Sequence, residues 1–129
     1  MKLILALALT LSSALSFSAV NHEGTCSQLT KVCAIYHTDA PFTTTQEARF
    51  KLFLESSDQK EVQFVKADLW MQMGNHGHGS SPLKITPIAP GEFDVTKAYF
   101  VMKGKWQIRV TYEQDSKQET LIIPVTIKE

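Results

Sequence analysis

Cysteine is scarce in this chain, with two in 129 residues, and histidine and methionine are nearly so at four each. A bilayer-spanning helix needs about 20 consecutive apolar residues, and the longest apolar stretch, Leu3 to Leu11 with Thr10 inside it, falls well short of that. Acidic and basic side chains balance at 13 each, so neither a nucleic-acid-binding surface nor a polybasic membrane patch is expected. The sequence contains no H-E-x-x-H, no G-x-S-x-G, no phosphate-binding glycine loop and no paired-carboxylate pattern. With none of these, enzymatic activity is not expected. No segment carries a sustained helical period of apolar residues, and no internal repeat or low-complexity tract interrupts the chain.

What is present begins with a basic start, Met1-Lys2, then the apolar run, then the small residues Ser12-Ser13-Ala14-Leu15-Ser16-Phe17-Ser18-Ala19. That order is the pattern of a secretory signal peptide, assigned to residues 1–19 with cleavage between Ser16 and Val20. The mature protein is then expected to cross the inner membrane, to reside in the periplasm and to carry no transmembrane segment. Export to an oxidising compartment favours a disulfide between Cys26 and Cys33. Six residues separate the two cysteines, which matches neither a C-x-x-C redox pair nor a zinc knuckle, although thiolate metal ligation and dithiol exchange remain alternatives.

Residues 20–46 read as an amino-terminal segment with the cysteine pair and one short strand, Lys31 to Tyr36, preceded by a polar, irregular stretch. From residue 47 to 129 the pattern has period two, the mark of half-buried strands. Phe50, Leu52 and Leu54 alternate with Arg49 and Lys51. Ala67, Leu69, Met71 and Met73 share one face of the next strand, with Lys66, Asp68, Trp70 and Gln72 on the other. Leu83 to Ile88 follows, then a Pro90-Gly91 turn, a strand from Phe93 that either continues through Tyr99 to Met102 or gives way to another there, and a Lys103-Gly104-Lys105 turn. Trp106, Ile108, Val110 and Tyr112 then alternate cleanly, as do Leu121, Ile123, Val125 and Ile127. Pro124 suits an edge strand because it cannot donate to the ladder. About seven short strands with regular turn signals predict an all-β fold, an immunoglobulin-like antiparallel sandwich.

The chemistry concentrates in Trp70-Met71-Gln72-Met73-Gly74-Asn75-His76-Gly77-His78-Gly79. This M-x-M-x-x-H-x-H stretch holds two of the four methionines and two of the four histidines within eight residues. Thioether sulfur is soft and suits Cu(I), while imidazole accepts both copper oxidation states. Met71 and Met73 leave the same face of a strand, and a glycine-hinged loop would fold His76 and His78 back over its end. Met102, from the turn before Gly104, is a fifth candidate ligand. The rival account makes both strand methionines core residues and both histidines solvated loop residues. Trp70 either covers the ion as a cation–π partner or packs under a neighbouring loop, and Trp106 is expected in the core.

The run Val65 to Gly79, followed by Gly91-Glu92-Phe93 and by Phe100-Val101-Met102-Lys103-Gly104-Lys105-Trp106, resembles the YtkA-like domain, which is related to the FixH family. The resemblance covers roughly Arg49 to Lys128. It implies an exported immunoglobulin-like sandwich engaged in copper handling or respiratory oxidase assembly, with Met71, Met73, His76, His78 and Met102 as the matching positions. The membrane anchor of FixH-type proteins has no counterpart after the signal peptide, and the cysteine pair falls outside the matching run.

Two functions are therefore expected in competition. One is a periplasmic protein that binds copper, as Cu(I), Cu(II) or both, for handling, delivery or tolerance, with a metal-accepting or membrane oxidase-assembly protein as its partner. The other is a sandwich that serves as a metal-free interaction module in the cell envelope.

Overall fold

The computed structural model describes residues 21–128; the signal-peptide assignment, residues 1–19, lies outside them. The described chain is an antiparallel β-sandwich without helix, formed by nine strands: β1 (Asn21–Cys26), β2 (Val32–Thr38), β3 (Ala48–Ser56), β4 (Gln63–Met73), β5 (His76–Gly79), β6 (Lys84–Ala89), β7 (Glu92–Ala98), β8 (Gly104–Gln114) and β9 (Lys117–Ile127). One sheet runs β1-β2-β3-β7-β6 and the other β5-β4-β8-β9. No helix among the described residues is long and apolar enough to cross a membrane.

The core follows from the alternation. Phe50, Leu52 and Leu54 of β3 meet Leu69 and Met71 of β4, the Trp106–Tyr112 face of β8 and the Leu121–Ile127 face of β9. A bulge between Phe64 and Lys66 resets the phase of β4, so that Phe64 packs on the core beside Phe93, with ring centroids 4.6 Å apart. Pro124 lies on β9 at the edge of its sheet, opposite Gln107.

Two strands beyond the expected set are β1 and β5. Asn-His-Glu-Gly-Thr-Cys and His-Gly-His-Gly carry no apolar alternation, because each is an edge strand held chiefly by its ladder to one neighbour. The stretch read as irregular before Lys31 is thus an integral part of the sheet, and β2 contributes Val32, Ala34 and Tyr36 to the common core. Cys26 and Cys33 face each other across β1 and β2 and are joined as a disulfide. Tyr99 to Met102 neither extends β7 nor forms a further strand. Lys97 takes a positive φ of 57°, and its N–H turns out of the ladder to donate to Glu47 Oε1 at 2.6 Å.

Candidate metal centre

Met73-Gly74-Asn75-His76 closes a tight β-hairpin between β4 and β5 rather than an open loop. Gly74, at φ +57° with no atom within reach of a side chain, supplies the left-handed backbone that such a turn requires. The pairing register then decides what the side chains do. Met71 stands opposite His78 and Met73 opposite His76, and directly opposed residues of an antiparallel pair point to the same face. Two thioethers and two imidazoles therefore share one face of one hairpin. The two imidazole centroids are 5.8 Å apart and nearly perpendicular, at 86°. The two rings are thus neighbours on the hairpin face.

The four differ in depth. Met71 is 6% exposed, with its methyl against Gly104, where an added Cβ would come within 2.9 Å of it. Met73 is half-buried on the margin of the core, while His76 and His78 are exposed. The arrangement has sulfur behind and imidazole in front.

The fifth candidate, Met102, is brought to the same end of the sandwich by backbone. Trp106 lies opposite Met71 on β8, is buried as expected, and donates its indole N–H to the Met102 carbonyl at 2.8 Å. The Met102 side chain is 49% exposed, so it lies at the surface and not inside the sandwich across from Met73.

Trp70 occupies the opposite face of β4 from the ligand candidates and so packs rather than covering an ion. Its indole lies over Gly77, where a Cβ would fall 2.3 Å from the ring nitrogen. Arg109 stacks on the other side, its guanidinium carbon 4.4 Å from the ring centroid, and is held in turn by Asp68 at 2.8 Å. Gly77 therefore serves a purpose that differs from the expected hinge. It leaves room for the indole, and that contact clamps β5 to β4 and fixes the register on which the Met/His face depends. The sequence signal for this was already there, in a tryptophan on a polar face beside glycines at every second position.

Among the described residues no three His, Cys, Asp or Glu side chains gather into a group that could hold a metal ion, and the donors that cluster on the hairpin are two imidazoles and two thioethers. Charge agrees with that. Between Asp68 and Glu92 the sequence has no carboxylate, and between Asp94 and Glu113 it has Lys97, Lys103, Lys105 and Arg109 but again no carboxylate. Neutral soft donors in a basic neighbourhood disfavour hard divalent cations, which take oxygen ligands.

A family model described as YtkA-like matches residues 33–111, more than half of the chain. The chain belongs to the YtkA-like family. The match runs from β2 into β8, takes in all five candidate ligands and begins at Cys33, so the YtkA-like region includes one of the two disulfide cysteines and starts earlier than the resemblance read from the motifs. No curated protein and no solved structure gives a significant match.

Proposed function

We propose that the β4–β5 hairpin of this YtkA-like protein binds copper for handling or delivery in the cell envelope. The observation that carries the reading is the register of the hairpin, with Met71 opposite His78 and Met73 opposite His76. Met73, His76 and His78 are the accessible donors, Met71 backs them from the core, and Met102, whose carbonyl is bonded to the Trp106 indole opposite Met71, is the further thioether of this end. An all-neutral set of two to three thioethers and two imidazoles favours Cu(I), and the imidazoles alone offer a weaker site to Cu(II). The exposure of the histidines suits an ion that is taken up and passed on rather than one locked in place.

The test is a matched competition of Cu(I), Cu(II) and Zn(II) on the protein. The expected result is one Cu(I) per chain with affinity well above that for Zn(II). Equal weak uptake of all three metals would favour the metal-free interaction module, for which the burial of Met71 as an ordinary core side chain is the supporting observation.

A further inference from the structure

Exposed large apolar side chains are scattered singly over the described residues, at Leu29, Val65, Ile88 and Ile122, except in one place. Tyr99, Val101 and Met102 are 43%, 65% and 49% exposed within four consecutive residues. Isolated exposed apolar residues need no explanation, whereas a local cluster of them is where a contact surface is to be sought. This group is held rigidly. Phe100, between them, is buried, with its ring 5.4 Å edge-on to Trp106 and 4.8 Å from Phe42, and the Met102 carbonyl is pinned by the Trp106 indole. The loop thus keeps its inward anchor fixed while holding three apolar side chains out in water.

Its surroundings are basic. Lys97, Lys103 and Lys105 are all exposed around it. Of the carboxylates at this end, Glu47 is engaged by Arg49 and by the Lys97 N–H, whereas Glu23 and Asp39 are exposed. The other end of the sandwich has the opposite balance, with Glu55, Asp58, Glu61, Glu113, Asp115 and Glu119 against Lys31, Lys60 and Lys117. Exposed lysines beside an apolar loop orient an approaching acidic partner.

We propose that Tyr99–Lys105 is the docking surface for a protein that exchanges the ion with the hairpin site, and that this partner presents an apolar patch ringed by carboxylates. The proposal rests on the copper reading above. The loop leads directly into Gly104, which lies against the Met71 methyl, so a partner seated on it would have its own ligands next to the Met/His face. Complementary charge would set encounter rate and orientation, and the apolar contact would hold the complex. A protein is favoured over an anionic bilayer because the basic side chains of this end, Lys97, Lys103, Lys105, Lys128 and Arg49, are interspersed with Glu23, Asp39 and Glu47 and do not form the unbroken basic cluster that holds a protein on a membrane.

The test uses the metal-free protein and two synthetic peptides, each with a Met-x-x-Met centre, one flanked by aspartates and one by lysines. The acidic peptide should bind and shift the amide resonances of Tyr99–Lys105, and K103E/K105E should loosen it by at least about tenfold. V101S, at an exposed position, should weaken it while leaving copper affinity unchanged, and K117E at the far end should have no such effect. Equal binding of the two peptides, binding of neither, resonance shifts elsewhere, concentration-dependent self-association through this loop, or preference for phosphatidylserine vesicles would each overturn the proposal. Because the docking arm contains no copper, it is read independently of whether the hairpin binds the metal.

Discussion

The two ends of the sandwich are built on different principles. At one end the chain is stapled. Cys26 and Cys33 are bonded across β1 and β2, Ser27 Oγ donates to the Glu119 carboxylate, Tyr112 donates to the same carboxylate, and the Thr30 hydroxyl meets the Tyr112 hydroxyl at 2.7 Å. That network ties the β1–β2 loop onto β8 and β9. At the other end there is no covalent link, and the β4–β5 hairpin is held by its ladder and by the Trp70 indole over Gly77. The first end uses polar and sulfur chemistry to hold structure. The second carries two thioethers and two imidazoles on one face that make no side-chain hydrogen bond among the described residues, which is what a ligand site requires.

The sharpest way to break this contrast is at Met71, which belongs both to the core and to the candidate site. Met71→Ala should cost about 2–5 kcal/mol in stability and lower copper affinity as well. Met71→Leu should keep stability within about 1.5 kcal/mol of the parent, so any loss of Cu(I) affinity then reports the sulfur alone. Denaturant unfolding and chelator competition on the same samples separate the two effects. Unchanged Cu(I) affinity in Met71→Leu would move Met71 out of the ligand set.

Next in size is the staple. Replacing both Cys26 and Cys33 by serine should destabilise the fold by about 2–3 kcal/mol through loop-closure entropy, with copper stoichiometry and affinity preserved. If that double variant remained folded and lost copper, the ends would not be functionally separate. Gly77→Ala should act in the reverse sense. Its Cβ meets the indole, so it should cost about 1–3 kcal/mol as an overpacking change, concentrate the disorder in β5 and weaken copper. Adding Trp70→Leu to Gly77→Ala should relieve the clash and restore part of the affinity.

The smallest effect is electrostatic, and it is similar at the two ends. Glu47, accepting from the Lys97 N–H and then from Arg49, has its carboxyl held below the usual range. Asp58 at the stapled end is lowered likewise, chiefly by the Ser56 hydroxyl and then by the Lys60 N–H. A carboxylate with a depressed folded-state pKa contributes stability that is present above its unfolded value and lost as pH falls through its folded value. Both losses should therefore appear only in acid, and a carbon-detected NMR titration should find both groups titrating below an unfolded-chain reference. Tyr36 gives the alkaline counterpart. Burial, with Glu23 nearby, pushes its hydroxyl up to about 12, so its contribution is complete below the unfolded value of 10.0 and fades as pH rises toward 12.

Much of this was legible in the sequence, for a physical reason. A strand with one buried face writes its period into the chain, so β3, β4, β8 and β9 were readable from Phe50-Leu52-Leu54, Leu69-Met71, Trp106–Tyr112 and Leu121–Ile127. The edge strands β1 and β5 bury little of their own and left no such trace. The Met/His cluster could be found by composition, yet its geometry could not, because a two-residue turn rather than a flexible loop sets which methionine meets which histidine. Trp70 stood out as an apolar ring on a polar face, and the covering element proved to be β5 itself.

The measurement that bears most directly on the central claim is Cu(I) competition on the parent and on the combined variant Met73→Leu, His76→Asn, His78→Asn, which spares the buried Met71. The account predicts one tightly held Cu(I) per parent chain, and at least about a hundredfold weaker binding in the variant, equivalent to about 2.7 kcal/mol, with the fold unchanged. Parent-like copper affinity in a folded variant would contradict it.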